Sequence, residues 1–398
     1  MSEILSERRL LRLSPQAMAL GGDAVARDDE GRVVFVEGAL PAEKVEAATY
    51  EEHGSYLKAS VLEVLEASPE RVAPPCPHVK RGCGGCGWQH IAPAAQVRFK
   101  MALVTEALER LGGLREPAVR AGPGLPSTSY RTSLRVAMGE GVPGFRRRRS
   151  HELVEVRSCV VAHPLLAELL AAADFGQGEE AVLRCGARTG ERLCVLKPCA
   201  AGADMRGLAA MVGEDELRSG RRAWIFEQVA GARLRVSAKS FFQARADGAE
   251  VLVGLVGEAL FGAPSGPLVD AYGGTGLFAA TLGRERPVVV LENNSSAAAD
   301  ARANVPGAVV VQTDVARWRP ERAVAVVADP PRSGLGRRAT TVLSATRASH
   351  FALVSCDPAS LARDARLLAG EGFRHISTTV VDMFPGTPHV ETVSTFTR

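Results

Sequence analysis

The stretch PLVDAYGGTGLFAATLGRERPVVVLE, residues 267–292, decides the fold. The apolar run 267–271 passes through Asp270 into a turn holding Gly273, Gly274 and Gly276, and a helix-length segment then leads to a second apolar run, 287–291, closed by Glu292. Apolar runs separated by helix-length segments predict βαβ units and a parallel sheet. The rhythm continues outward through 308–312, 323–328 and 350–355, so residues 236–398 read as a doubly wound, Rossmann-like α/β domain. In such a sheet the first strand-to-helix turn faces the ligand crevice, and glycines there let the backbone approach a ligand closely. A glycine turn alone says little. Glu292, about 20 residues on, is placed to accept ribose hydroxyls, and Asp314 ends a third run, VVVQTD. Acids at successive strand ends favour a nucleoside cofactor over a pyrophosphate one, with a dinucleotide left open.

Two further strand ends carry reactive residues. Asp329-Pro330-Pro331-Arg332 follows AVAVVA, and Cys356 follows HFALVS, with Pro358 opening a helix. A cysteine before a helix N-terminus is placed for a lowered pKa, because the aligned amides favour thiolate. Farther on, His389 and Glu391 stand between strand-like runs as alternative proton acceptors.

Toward the N-terminus, short strand-like runs with turn signals around 31–41, 45–50 and 57–65 suggest a small β-barrel over residues 1–66. The prolines from Pro69 to Pro75 mark a boundary, and residues 67–235 read as an α+β middle domain. Within it, 93–111 has helical spacing and stops at Gly112-Gly113. The sequence CPHVKRGCGGC sets Cys76, Cys83 and Cys86 within eleven residues. Three thiolates need a fourth partner, from Cys159, Cys185, Cys194, Cys199, His78 or His90. Spacing does not separate zinc from an iron–sulfur cluster.

Composition is that of an ordinary globular protein: 46% hydrophobic, 23% charged, net charge +3 over 398 residues. This excludes a disordered chain, and no apolar run is long enough to span a membrane. The opening MSEILSERRLLRLS does not read as a secretory signal, which points to a cytoplasmic protein whose eight cysteines serve metal or catalysis rather than disulfides. Basic residues are dense at Arg8, Arg9 and Arg12 and over Arg146 to Arg149, runs that standing alone read as solvated surface.

Taken in order, these motifs resemble the RNA uracil-5-methyltransferase family along nearly the whole chain, and the 23S ribosomal RNA enzymes in particular. GGDAVARDDEGRVVFVEGALPAEKV resembles a TRAM domain, a barrel associated with RNA binding. CPHVKRGCGGC with Cys159 matches the family's [4Fe–4S] ligands, Cys76, Cys83, Cys86 and Cys159. SFFQ, ending at Gln243, resembles its cofactor-contacting motif. Tyr272, Glu292 and Asp329 fall where the family contacts S-adenosylmethionine, and Gly274, Gly276 and Asp314 complete the expected cofactor site. SCDP at Cys356 matches the nucleophile and HVET at Glu391 the base. The resemblance implies methyl transfer from S-adenosylmethionine to carbon 5 of an RNA uridine, ribosomal RNA favoured over transfer RNA, by a cytoplasmic monomer.

Three positions depart from the family pattern: Asp357 where asparagine is usual, Arg245 where the glutamine motif usually has asparagine, and Gly273 where cysteine is common. Two readings from other classes compete with the enzyme, a catalytically decayed RNA-binding protein and an iron–sulfur redox sensor.

Overall fold

A strand buried on both faces needs helices on both sides, and the run around Asp270 has them. The computed structural model describes residues 9–139 and 141–398. Its largest sheet has eight strands, ordered Val309–Gln312, Val288–Glu292, Leu268–Ala271, Ala325–Ala328, His350–Ser355, Glu391–Thr397, Arg374–Val381 and Val119–Ala121. The first five are mutually parallel, and Glu391–Thr397 runs antiparallel to both its neighbours. Strand order reverses at Leu268–Ala271, so the crevice beside its carboxyl end is the topological switch point where such sheets bind ligands. One apolar core fills each face of the sheet, one around Val269, Val326 and Phe351, the other around Leu268, Val327 and Val354. The expected Rossmann-like domain is present. It also recruits Val119–Ala121, parallel to Arg374–Val381, from the segment 67–235 assigned to the middle domain.

The N-terminal strands form an open six-stranded sheet rather than the expected closed barrel. Leu10–Leu13 and Ala17–Met18 lie at its two edges and do not pair with each other. Ala17–Met18 is only two residues long and follows Pro15, which has no amide to donate to a ladder. The core over this sheet is completed instead by Trp88, Ile91, Ala95 and Leu103. The last two belong to the helix Pro93–Arg110, which also buries Val104, Ala107 and Leu108 in the core of the eight-stranded sheet.

The middle region has its own six-stranded sheet and a core that includes Cys185 and Cys194. The arginine run is exposed, as expected of a solvated surface, and two of its members also pair with the N-terminal sheet. The Arg148 and Arg149 guanidiniums both pair with Glu37 on the N-terminal sheet, Arg149 stacks over Tyr50 at 3.7 Å, and the Arg146 carbonyl accepts the Gly84 amide at 3.1 Å. These charges join the N-terminal sheet to the cysteine loop. Arg9 pairs with Glu30 and Arg12 with Glu46, while Arg8 lies outside the described residues. Among the described residues no helix is long and apolar enough to cross a membrane.

Candidate active site and cysteine cavity

The glycine turn after Leu268–Ala271 is shaped by its neighbours. A Cβ at residue 273 would lie 2.7 Å from Val290, which accounts for glycine at this departure from the family pattern. Gly274 and Gly276 have φ of +55° and +86°, and Tyr272 holds the left-handed region at +58°. A bulky residue in that conformation is strained, and such strain tends to collect at functional turns. The two Glu292 oxygens accept the Gly274 amide at 2.9 Å and the Asn294 amide at 2.6 Å, so its carboxylate is fixed against the turn. Asp314 is exposed and uses one oxygen on the Ala316 amide, while its charge lies near the Tyr272 phenol.

Gln243 comes to this crevice from outside the sheet. Its amide donates to Asp329 at 3.1 Å. Sequence reasoning missed what holds it there: buried Asp300 accepts from Ser240 Oγ at 2.6 Å, Ser237 at 2.7 Å and Arg235 Nε at 2.7 Å. The carboxylate sits on a helix whose sequence, SSAAADARAN, gives no sign that its acid faces inward. Arg245 is fully buried, paired with Asp247 at 2.7 Å and stacked on Tyr130 at 4.3 Å, so this departure builds a structural contact beside the site.

Cys356 and Glu391 meet because their strands pair, Ser355 opposite Thr392, and Thr392 Oγ1 donates to the Ser355 carbonyl at 3.0 Å. Their electrostatics overturn one sequence expectation. Burial first, then the Glu391 and Asp329 carboxylates, push the Cys356 thiol up to about 11, with Arg332 pulling the other way. The helix N-terminus does not outweigh these contributions; its cap is the Asp357 carboxylate, which accepts the Ser360 amide at 2.7 Å. Aspartate and asparagine cap helices about equally well, so that departure has a structural account too. Burial, then Asp329, raises Glu391 well above the usual carboxylate range, and burial lifts Asp329 to about 7. His389 is pushed down to about 4 by burial and by Arg332, whose guanidinium donates to His389 Nδ1 at 3.0 Å. Of the two candidate acceptors, Glu391 alone has its carboxyl beside Cys356 and its basicity raised. The arrangement is suited to attack by sulfur on an electrophilic ring carbon and to removal of a proton from the neighbouring carbon.

No family model matches the chain. Over 95% of its length it is 34% identical to 95% of an uncharacterized RNA methyltransferase of Streptomyces avermitilis. It is also 34% identical, over 97% of its length and 89% of the relative's, to a 23S rRNA (uracil(1939)-C(5))-methyltransferase of Chromohalobacter salexigens. The chain belongs to this RNA methyltransferase family. Its fold matches the Pyrococcus abyssi tRNA (uracil-54, C5)-methyltransferase, crystallised with S-adenosyl-L-homocysteine, at a TM-score of 0.77, 23% identity and coverage of 97% and 99% of the two chains. As a member of the family, the protein uses S-adenosylmethionine to methylate RNA.

A second cysteine site lies apart from Cys356. Cys76, Cys83, Cys86 and Cys159 line one cavity of about 350 Å³, with Arg131 and Phe242 also on its wall. Burial raises the Cys83 and Cys159 thiols and pushes Cys86 up to about 11. Among the described residues, no three histidine, cysteine or acidic side chains converge as ligands of a single ion. Of the other possible partners, Cys185 and Cys194 face the middle core and Cys199 lines a different hollow.

Proposed function

We propose that the protein methylates carbon 5 of a uridine in 23S ribosomal RNA through a covalent bond between Cys356 and carbon 6. The pairing of Cys356 with Glu391 across adjacent strands is the observation that carries this reading. Carbon 5 of uracil is a weak nucleophile. Addition of the Cys356 thiolate to carbon 6 converts the ring to an enolate, in which carbon 5 is electron-rich. Bound S-adenosylmethionine supplies an electrophilic methyl group. Glu391 then takes the proton from methylated carbon 5, the carbon 5–carbon 6 double bond re-forms, and Cys356 leaves as thiolate. Gln243, Tyr272, Gly274, Gly276, Glu292, Asp314 and Asp329 line the cofactor side of the crevice in this reading. Ribosomal RNA is favoured by likeness to the Chromohalobacter enzyme, whose name specifies 23S rRNA. The target base has to leave its stack to reach a sulfur held at a strand end.

The cysteine cavity fits a [4Fe–4S] cluster held by Cys76, Cys83, Cys86 and Cys159. Four sulfurs lie around a space large enough for a multi-atom centre, and the charge of Arg131 works against the burial that raises Cys86 and Cys159. Such a cluster would cross-link the cysteine loop to the middle region and take no part in methyl transfer.

Replacing Glu391 with glutamine tests the covalent reading. The variant is expected to attack and methylate but not release, leaving a protein–RNA adduct that survives denaturing electrophoresis and carries labelled methyl. Cys356→Ala should form no adduct and lose on the order of 10⁴-fold or more in turnover. RNA bearing 5-fluorouridine should trap the unaltered enzyme. Full turnover by Cys356→Ala, or no trapping of an active enzyme, would rule the mechanism out.

A further inference from the structure

Glu391 is reached through the loop 382–390, and that loop is held by parts of the chain remote from the catalytic sheet. Gln96, on the helix Pro93–Arg110, is the centre of the attachment. Its Oε1 accepts the Gly386 amide at 2.6 Å, and its Nε2 donates to the Trp88 carbonyl at 3.2 Å and the Ile91 carbonyl at 2.9 Å. The Trp88 amide donates to the Gly386 carbonyl at 2.7 Å, so both polar backbone groups of Gly386 are taken. One turn along the helix, fully buried Lys100 pairs with Asp382 at 2.6 Å and reaches the Phe384 carbonyl at 3.3 Å. Trp88 belongs to the same CGGCGWQ segment as Cys83 and Cys86. Its neighbour Gln89 accepts the Cys76 amide at 3.1 Å, and Gln89 Cγ would lie 3.1 Å from a Cβ on residue 386. Nothing in cofactor binding or in the attack of Cys356 uses these contacts.

We propose that Gln96, Lys100 and the Trp88 backbone are positioning residues for Glu391, joining the cysteine loop to the loop that aims the base. The inference rests on the covalent reading above and adds to it which step the clamp serves. Glu391 acts last, so loosening its loop slows proton removal more than methyl transfer. Misplacement by about 1 Å from a site remote from the chemistry can cost roughly 100-fold.

Gln96→Leu is the test. It keeps bulk in a buried position and removes every bond to Gly386 from that side chain. Calorimetric affinity for S-adenosylmethionine and the single-turnover rate of methyl incorporation are expected to stay near those of the unaltered enzyme. Steady-state turnover should fall roughly 10- to 100-fold, with a methylated protein–RNA adduct accumulating on ordinary uridine substrate. Gly386→Ala, strained at φ +77°, attacks the same joint from the other side and is read identically if Gln96→Leu does not fold. Methyl incorporation and turnover falling in parallel with no adduct, or neither changing, would overturn the proposal. Failure of the unaltered enzyme to trap on 5-fluorouridine RNA would instead remove the covalent reading and this one with it.

Discussion

The protein holds cysteines in two polar settings that raise their thiols to similar heights for different reasons. At Cys86 the push to about 11 comes from burial, with neighbouring sulfurs adding to it and Gln89 and Arg131 opposing. At Cys356 it also begins with burial, but two carboxylates, Glu391 and Asp329, add to it, while Arg332 and a backbone amide oppose. Sulfurs that line one cavity can be relieved by a cationic centre bound between them. A single sulfur facing acids is relieved only when those acids are protonated or a positive charge arrives, which suits a nucleophile used intermittently. The difference separates holding from reacting.

The largest effect that would break this comparison is loss of the proposed cluster. Cys83→Ala should take anaerobically purified protein from about four irons to none, because the cluster and the fold around it depend on each other. Retention of iron would show that the cavity is not its site. Next in size, the Cys356 thiol in cofactor-free enzyme should react with iodoacetamide near neutral pH roughly 10- to 100-fold more slowly than an ordinary exposed thiol. Glu391→Gln should speed that alkylation, since a raising charge is gone. An equal rate in the two proteins would mean that the carboxylate does not act on the sulfur.

A smaller effect concerns pH. Burial raises Asp270 from 3.8 to about 7, and Asp329 rises likewise. The folded state therefore keeps protons that the unfolded chain releases near pH 4. The associated stability is present at low pH and is lost as pH rises through about 7. The melting temperature of cofactor-free protein should fall between about pH 5 and pH 8, and Asp270→Asn should flatten that fall. An unaltered slope would place the titration elsewhere. Smallest of all, Asp357→Asn should change stability by no more than about 0.5 kcal/mol in thermal unfolding, because either side chain caps the helix.

Periodic features are legible in the sequence and features made by distant pairing are not. His350–Ser355 is readable to the residue, and the helix starting at Pro93 ends at Arg110, one residue short of its expected end. Cys356, the proposed nucleophile, stands out because it follows an apolar run, whereas Glu391 opens its strand and is legible only as one of two acceptors between strand-like runs. Barrel closure fails as an expectation because it depends on whether two edge strands meet, which their separate compositions do not report. The arginine run is exposed, as its sequence reads, but that Arg148 and Arg149 pair with Glu37 and that Arg149 stacks on Tyr50, about a hundred residues earlier, is not legible locally. The thiol of Cys356 is misread because a helix N-terminus is visible in sequence, whereas a carboxylate from another strand is not.

The joint at Gly386 also bears on the order in which the molecule is made. Gln96 and Gly386 are 290 residues apart, and Lys100 and Asp382 are 282 apart. Contacts that distant wait for the regions on either side to organise, since little rewards the closure of so long a loop until both partners exist. The N-terminal sheet with its helix and the glycine-turn half of the large sheet each have an apolar core to condense around first. The base loop is then among the last parts to lock. In the covalent reading, a chain caught before that moment has a place for its methyl donor and a cysteine that can attack, but no seated acid to finish the reaction, so turnover would itself report that folding is complete.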